Sequence, residues 1–455
     1  MIKNSENGTM DAIISLAKRR GFIFQGSEIY GGLAGTWDYG PLGVALKNNI
    51  KKIWWKRFVE DRDDMFGVDA AILMNQNVWK ASGHVGGFAD PLVECGKCKK
   101  RFRADQFGDK IAENKWQLPS ECPSCGEKGD LWNLAKENIR QFNMMFETHV
   151  GATHDEASVS YLRPETAQGM FVNFKNILDS LHPKLPFGLG QIGKAFRNEI
   201  APRDFLFRAR EFEQMEIEYF VNPKDWESTF RDFTAEVHAF TKEVGLTPSK
   251  IHELEVPESD RAFYSKRTID FEFDFPFGKK ELYGLAYRTD YDLKQHSGFS
   301  KVDLSYYDEE TKERFIPHCI EPSFGLDRTV LAVLTDAYTE DKMGDEVRTY
   351  LKLAPSVAPY KVAVFPLLRN KPELIKKAEE IFKMIKKEIP AITFDDNGNI
   401  GKRYRRQDEI GTPYCVTVDF ETIEEGKGVT VRDRDSGKQE RVAETDLISF
   451  LKGKI

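Results

Sequence analysis

The sequence predicts an α+β fold, a largely antiparallel sheet flanked by helices, followed by a smaller α/β unit. Three patterns predict it. Met215, Ile217 and Tyr219 alternate with Glu216 and Glu218, a period of two that gives a strand one apolar and one acidic face. Alternation resumes at 268–275 and 281–287 with Gly278 in the turn between them, while helical periodicity falls outside these runs. Beyond the stretch 354–359, Ala-Pro-Ser-Val-Ala-Pro, strand-like and helix-like segments alternate in the rhythm of a separate βαβ unit.

In chain order, an amphipathic helix is expected near 11–20, then a glycine-rich passage over 26–43. Leu42, Leu46, Ile50, Ile53, Trp54 and Phe58 recur at helical spacing and predict a long helix with one bulky apolar face; Lys47, Lys51, Lys52, Lys56 and Arg57 fall on the other. The stripe reads as core packing, with a dimer seam as the alternative. A strand is expected at 70–74 and an inserted module at about 93–130. A helix-like stretch, 136–147, leads to a strand at 159–162, and 187–220 reads as two strands joined by a tight loop. The charged stretch 223–265 is predicted helical. The first domain is thus expected over 1–354, with inserts at about 93–130 and 223–265, and the second over 360–455. Strands at 361–368, 391–394 and 414–418 and helices at 373–388 and 403–410 make up the second.

At 455 residues, 40% hydrophobic and 31% charged, the chain has the profile of a folded protein of two or three domains, which excludes the disordered and fibrous classes. No run approaches the 18 or so uninterrupted apolar residues of a membrane span. The opening residues are polar and lack the apolar core of a signal peptide, so a cytoplasmic location and no membrane partner are expected. Net charge is −7. Residues 359–455 hold 19 Lys+Arg against 17 Asp+Glu, and residues 1–358 hold 47 against 56, so a nucleic-acid partner would have to be met by local patches.

Two clusters carry chemistry. Phe196-Arg197-Asn198-Glu199 is followed by Phe207-Arg208-Ala209-Arg210-Glu211-Phe212. Arg197 and Glu199, two apart on a strand, would share a face; a guanidinium suits phosphate oxygens and a carboxylate suits an amine. Alone, such a pair is more often a surface ion pair. The second cluster, Glu321-Pro322-Ser323-Phe324-Gly325-Leu326-Asp327-Arg328, ends a strand and opens a helix. Arg328 would sit in the first helical turn, where its cation opposes the helix dipole, an awkward place for a structural residue and a reasonable one for meeting an anion.

In this order and spacing, the two clusters resemble motifs 2 and 3 of class II aminoacyl-tRNA synthetases. Arg163-Pro164-Glu165-Thr166-Ala167-Gln168-Gly169, Gly26-Ser27-Glu28-Ile29-Tyr30-Gly31-Gly32, Asp38-Tyr39-Gly40-Pro41-Leu42-Gly43 and Ala81-Ser82-Gly83-His84 narrow the resemblance to the homodimeric glycyl-tRNA synthetase family. The likeness runs from about Ser15 to the end of the chain and implies ATP, glycine and tRNA(Gly) as substrates, with Mg²⁺. It implies that Arg197 holds the α-phosphate of ATP and Arg328 the γ-phosphate, with Asn198, Phe207, Arg208, Leu282 and Gly325 around the nucleotide. Phe212 would stack on adenine, Glu199 would bond its amino group, and Glu281 would lie near the ATP and help hold Mg²⁺. Glu165, Glu321 and Ser323 would fix the glycine ammonium, with Arg103, Glu213, Gln214 and Glu216 lining the site. Motif 1 of the class commonly ends in a proline, whereas Leu73-Met74-Asn75-Gln76-Asn77 stands here, so a homodimer rests on the overall likeness.

Cys95, Cys98, Cys122 and Cys125 form two Cys-x-x-Cys pairs separated by 23 residues, the pattern of one closed tetrahedral structural zinc site, with a reduced metal-free insert as the alternative. The second domain resembles the anticodon-binding domain of several class II synthetases. Its Lys402-Arg403-Tyr404-Arg405-Arg406 run mixes cations with an aromatic ring, a combination suited to phosphate and base contacts. A catalytically silent nucleic-acid-binding relative, and the same reaction with proline, threonine or histidine, are the rival readings.

Overall fold

The computed structural model describes residues 6–108, 110–112, 115–152, 154–343 and 346–455, so part of the polar opening stretch lies outside the described residues. Its largest sheet has seven strands: β1 (Met65–Gly67), β2 (Phe187–Phe196), β3 (Glu211–Val221), β4 (Ile251–Glu255), β5 (Arg267–Phe275), β6 (Gly278–Thr289) and β7 (His318–Gly325). The spatial order is β4-β5-β6-β7-β3-β2-β1. Every pairing is antiparallel except β2 with β1.

Helices cover both faces: α1 (Glu6–Arg19), α2 (Pro41–Trp55), α3 (Ala167–Leu181), α4 (Trp226–Glu243), α5 (Tyr291–Ser300) and α6 (Leu326–Ala337). Proline opens α2 at its first position, where the missing N–H costs nothing. Leu46, Ile50, Trp54 and Phe58 are each fully buried in the central core with Met215, Ile217 and Phe324, so the apolar stripe is core packing. Burying each such side chain stabilises the fold by roughly 1.5–3 kcal/mol. Helix α2 ends at Trp55 and runs into a wide π-type turn over Lys56–Glu60 that still buries Phe58. Lys47, expected on the wet face, is buried against Glu213 instead.

Strand β3 divides two environments. Its Met215, Ile217 and Tyr219 face the core shared with α2 and α4. Its acidic face is not in water: Phe220 packs against Ala167, Phe171 and Phe174 of α3, and Glu216 and Glu218 are buried.

Four expectations are corrected. The strand predicted at 70–74 is instead β1, five residues earlier; Leu73 makes only an isolated bridge to Leu162, and Asn75 caps the short helix Gln76–Ala81 by accepting from Asn77 N. The helix predicted over 136–147 ends at Glu137, because Arg140–Asn143 pairs with Ala89–Glu94 and Phe146–His149 with Val159–Leu162. The connection between β2 and β3 is not tight but spans residues 197–210. Within 223–265 the helix covers only Trp226–Glu243, and β4 then adds an edge strand to the sheet.

After a hairpin (Tyr338–Met343 with Glu346–Leu351), the C-terminal unit comprises β8 (Val362–Pro366), α7 (Pro372–Glu388), β9 (Ile392–Phe394), α8 (Ile400–Ile410), β10 (Tyr414–Val418), β11 (Val429–Asp433) and β12 (Gln439–Val442). The order is β9-β8-β10-β11-β12, parallel across the first three strands and antiparallel thereafter. Residues 354–359 are no loose linker: Val357 and Ala358 are fully buried in the core of the first unit, and Asn49 Nδ2 donates to both of their carbonyls.

Candidate active site

The central strands bring both clusters to one end of the sheet. Pairing of β2 with β3 stops at Phe196 opposite Glu211, so Arg197 and Glu199 lie just beyond the strand rather than on it. A short turn, with Glu199 N donating to Arg197 O at 2.7 Å, aims both at a common space. Arg197, Glu199, Phe207, Arg208, Phe212, Glu281, Leu282, Gly325 and Arg328 line one cavity of about 190 Å³. Asn198 is not part of that wall among the described residues; its backbone N–H binds Met144 O.

Arg197 and Arg328 are both held without a phosphate. Arg197 Nε donates to Pro164 O at 3.1 Å, and its guanidinium lies over the rings of Phe88 and Phe212. The Phe212 face expected for adenine thus carries Arg197 here. Arg328 stands in the first turn of α6, over the Phe207 ring, with Nη1 3.1 Å from Glu281 Oε2. That cation holds the half-exposed Glu281 carboxyl below its usual range. Two guanidiniums over aromatic rings, one bonded to a backbone carbonyl and the other to a single carboxylate, are poised for a stronger anion.

Arg103 lines this same cavity, together with Glu213, Gln214 and Ser323. It pairs with Asp90 at 2.5 Å and Asp105 at 2.6 Å. Burial pushes Asp90 up to about 6 against the pull of Arg103. Glu213, on the same wall, is held from behind. Its carboxylate turns to Lys47, at 2.5 Å, and Lys51, while its backbone N–H donates to Asp327.

A second chamber of about 270 Å³ adjoins the first, and Arg197, Gln214, Glu281 and Ser323 line both. Its floor is acidic: Glu165, Glu216 and Glu321. Glu216 accepts from Thr166 N, Thr166 Oγ1, Gln214 Nε2 and Ser323 Oγ. Burial and the neighbouring Glu165 nonetheless push its carboxyl up.

The hub of the chamber is a residue the sequence did not single out. Arg288, fully buried, donates through Nη1 to Glu321 at 2.8 Å and through Nε and Nη2 to Asp292 at 2.8 Å each. Its guanidinium stacks 3.8 Å from the centre of the Tyr264 ring. Gln168 bridges Glu165 and Asp292, and His296 holds Gln168 in turn. Glu321 is pushed up to about 8 by burial, against the pull of Arg288. Glu218, fully buried and bonded by the Cys319 thiol, is pushed well up by burial and by Glu321. One guanidinium facing this many buried carboxyls leaves a deficit of positive charge, which a small cation entering the chamber would fill.

The four cysteine sulfurs of the inserted module lie within 4.8 Å of one another. Cys95 and Cys125 are 3.9 Å apart and Cys98 and Cys122 3.8 Å. Four sulfurs at about 2.3 Å from a tetrahedral ion would stand about 3.8 Å apart, so the quartet fits one metal ion. Val93, Ala104 and Trp132 form a small core beneath it.

In the C-terminal unit, the 402–406 run is largely structural. Arg403 is fully buried on the carbonyls of Pro366, Asp396 and Gly398; Tyr404 bonds Thr417, and Arg406 pairs with Asp395. Lys402 and Arg405 remain on the surface.

Residues 122–337 match the tRNA synthetase class II core domain (G, H, P, S and T), and residues 361–454 match the anticodon binding domain. A glycine–tRNA ligase of Clostridium acetobutylicum is 50% identical over 470 aligned positions, covering 98% of this chain and 99% of that one. The glycine–tRNA ligase of Clostridium tetani is 49% identical, with 98% of each chain covered, and that of Bacillus cereus (strain ZK / E33L) 48%, covering 98% and 99%. Identity near one half across almost the full length, over a sheet that gathers both arginine clusters, places the chain in the glycine–tRNA ligase family of class II aminoacyl-tRNA synthetases.

Proposed function

We propose that this enzyme activates glycine with ATP to glycyl-adenylate and transfers the glycyl group to the 3′ end of tRNA(Gly). The observation that carries this reading is that Arg197 and Arg328, 131 positions apart in the chain (197 to 328), line one cavity that opens onto a carboxylate-floored chamber. In this reading Arg197 takes the α-phosphate and Arg328 the γ-phosphate, exchanging its hold on Glu281 for the triphosphate. The glycine ammonium goes to Glu165, Glu321 and Ser323. Glycine carboxylate then attacks the α-phosphorus in line, pyrophosphate leaves, and the adenylate is attacked by the terminal ribose hydroxyl. Positioning and charge stabilisation are sufficient for such chemistry, and no side-chain nucleophile is needed.

Mg²⁺ would neutralise the polyphosphate; it takes one or two carboxylates plus phosphate oxygens, and Glu281, on the cavity wall beside Arg328, is the carboxylate suited to it. Zn²⁺ on Cys95, Cys98, Cys122 and Cys125 would lock the inserted module that carries Arg103 to the cavity. Six unpaired cysteines fit a reducing compartment, the cytoplasm. Among the described residues no helix is long and apolar enough to cross a membrane. Ile29, Tyr30 and Leu33, exposed at 89%, 87% and 55%, form an apolar patch suited to a second copy of this chain.

A pocket has no smaller amino acid than glycine to reject, so steric exclusion alone gives specificity. Amino-acid-dependent exchange of pyrophosphate into ATP, run against all twenty amino acids, tests the reading. Exchange with glycine alone is expected; no exchange would favour the silent binding relative, and preference for another amino acid would refute the assignment.

A further inference from the structure

His84 is buried next to the chamber without lining it, and no step above uses it. It follows a tight turn at Gly83, whose φ of +85° lies in the left-handed region. The imidazole is fixed on every side. Its Nδ1 lies 2.8 Å from Ser82 Oγ, and its ring meets Trp79 and Phe88 at centroid distances of 5.5 and 5.4 Å. Its Nε2 lies 3.4 Å from Glu165 Oε2. The Glu165 carboxylate can only accept, so it favours the tautomer that carries the hydrogen on Nε2 and directs it at Oε2.

Glu165 needs that partner. Its Oε1 is served by Gln168 Nε2 at 3.0 Å and, more distantly, Arg288 at 3.9 Å, whereas His84 is the group that faces Oε2. Burial pushes this carboxyl up, yet His84, followed by Arg288 and Gln168, holds it far below the usual range. Glu321, bonded to Arg288 and flanked by Glu216 and Glu165, is pushed up to about 8 in the same chamber.

We propose that His84 is a positioning residue for the amino-acid ammonium: braced by Ser82, its Nε2–H holds the Glu165 carboxylate aimed into the chamber. The inference rests on the proposed function, in which Glu165 receives that ammonium. His84 acts on glycine binding and not on the nucleotide, since Glu165 lines the chamber and not the cavity that Arg328 lines.

The test is steady-state pyrophosphate exchange with the full-length enzyme carrying His84→Phe, His84→Gln or Ser82→Ala. Phenylalanine keeps the ring volume and removes the donor; glutamine restores a neutral N–H. Loss of a hydrogen bond to a buried carboxylate predicts a glycine KM raised roughly tenfold or more in His84→Phe, an ATP KM unchanged, and substantial recovery in His84→Gln. Ser82→Ala, which leaves the ring in place, gives a smaller rise of the same kind. A folded His84→Phe enzyme with an unchanged glycine KM overturns the role, as does a fall in kcat and ATP affinity alike. Should His84→Phe not fold, an unchanged glycine KM in Ser82→Ala together with no rescue by glutamine overturns it. An unmodified enzyme that exchanges nothing with glycine removes the proposed function itself, a result separate from any of these.

Discussion

Glu165 and Glu321 share one chamber and one guanidinium, yet their carboxyls are pushed in opposite directions. His84, Arg288 and Gln168 hold the first far below the usual range; the second, bonded to Arg288, is pushed up to about 8 by burial and by the neighbouring Glu216 and Glu165. Because the folded-state value of Glu321 lies above the unfolded one of about 4.3, its protonated form favours the fold fully below that pH, and the contribution is lost as pH rises through 8. Binding a cation reverses the preference toward the carboxylate. Glycine binding at pH 7 is therefore expected to release up to about one proton per site, falling toward none near pH 9, and the glycine KM to drop as pH rises toward 8. Calorimetry in buffers of different ionisation heat reads the proton count; no release at pH 7 would contradict this account. The residues quoted as motifs were legible in the sequence because their order and spacing carry information. Arg288 was not, since Tyr287-Arg288-Thr289-Asp290 reads like any arginine at a strand end, and only burial against Asp292 and Glu321 marks it. The pairing of Glu213 with Lys47 and Lys51 of α2 was not legible either, for it joins elements far apart in the chain.

Among the elements, those with a strong period were readable and those decided by pairing were not. The stripe of α2 and the alternation of β3 come from core burial, which leaves a regular pattern. Residues 136–147 have helical composition, but Arg140–Asn143 finds a partner strand in Ala89–Glu94, and local propensity yields to a ladder the sequence does not announce. The run 402–406 shows the reverse: its helix was legible, but the packing of Arg403 beneath Pro366 and Asp396 was not. The cysteine module is the element most open to test. Its core is small, Val93, Ala104, Trp132, Ala135 and Ile139 beside two of the cysteines, so a metal on the four sulfurs would supply much of its stability. About one equivalent of zinc per chain is expected on analysis. Stripping it with a chelator should melt the module, seen as faster hydrogen exchange over 93–130, and lower activity by displacing Arg103, while the central sheet stays folded. Less than about half an equivalent, or a module unchanged by chelation, would defeat the claim.

At the scale of the whole molecule, the C-terminal unit is bolted to the catalytic one through a buried charge cluster. Arg348, on the hairpin that continues from α6, reaches Asp408 of α8 at 3.2 Å, and Arg432 of β11 binds both oxygens of the same carboxylate at 2.8 and 2.9 Å. Helix α6 carries Arg328 in its first turn, at the end away from that hairpin. Asp408→Asn leaves two buried guanidiniums short of charge and is expected to cost about 3 kcal/mol or more. Glycine-dependent exchange, which needs only the first unit, should fall less than charging of tRNA; equal losses in both would argue that the junction serves stability alone. The central claim is that two distant arginines grip one triphosphate above a chamber that takes an ammonium. The most direct measurement is the structure of the enzyme with a non-hydrolysable ATP analogue and glycine. The account predicts phosphate oxygens within hydrogen-bonding distance of both Arg197 and Arg328, and the glycine nitrogen among Glu165, Glu321 and Ser323. A nucleotide bound elsewhere, or touching only one of the two arginines while glycine lies outside the chamber, would contradict it.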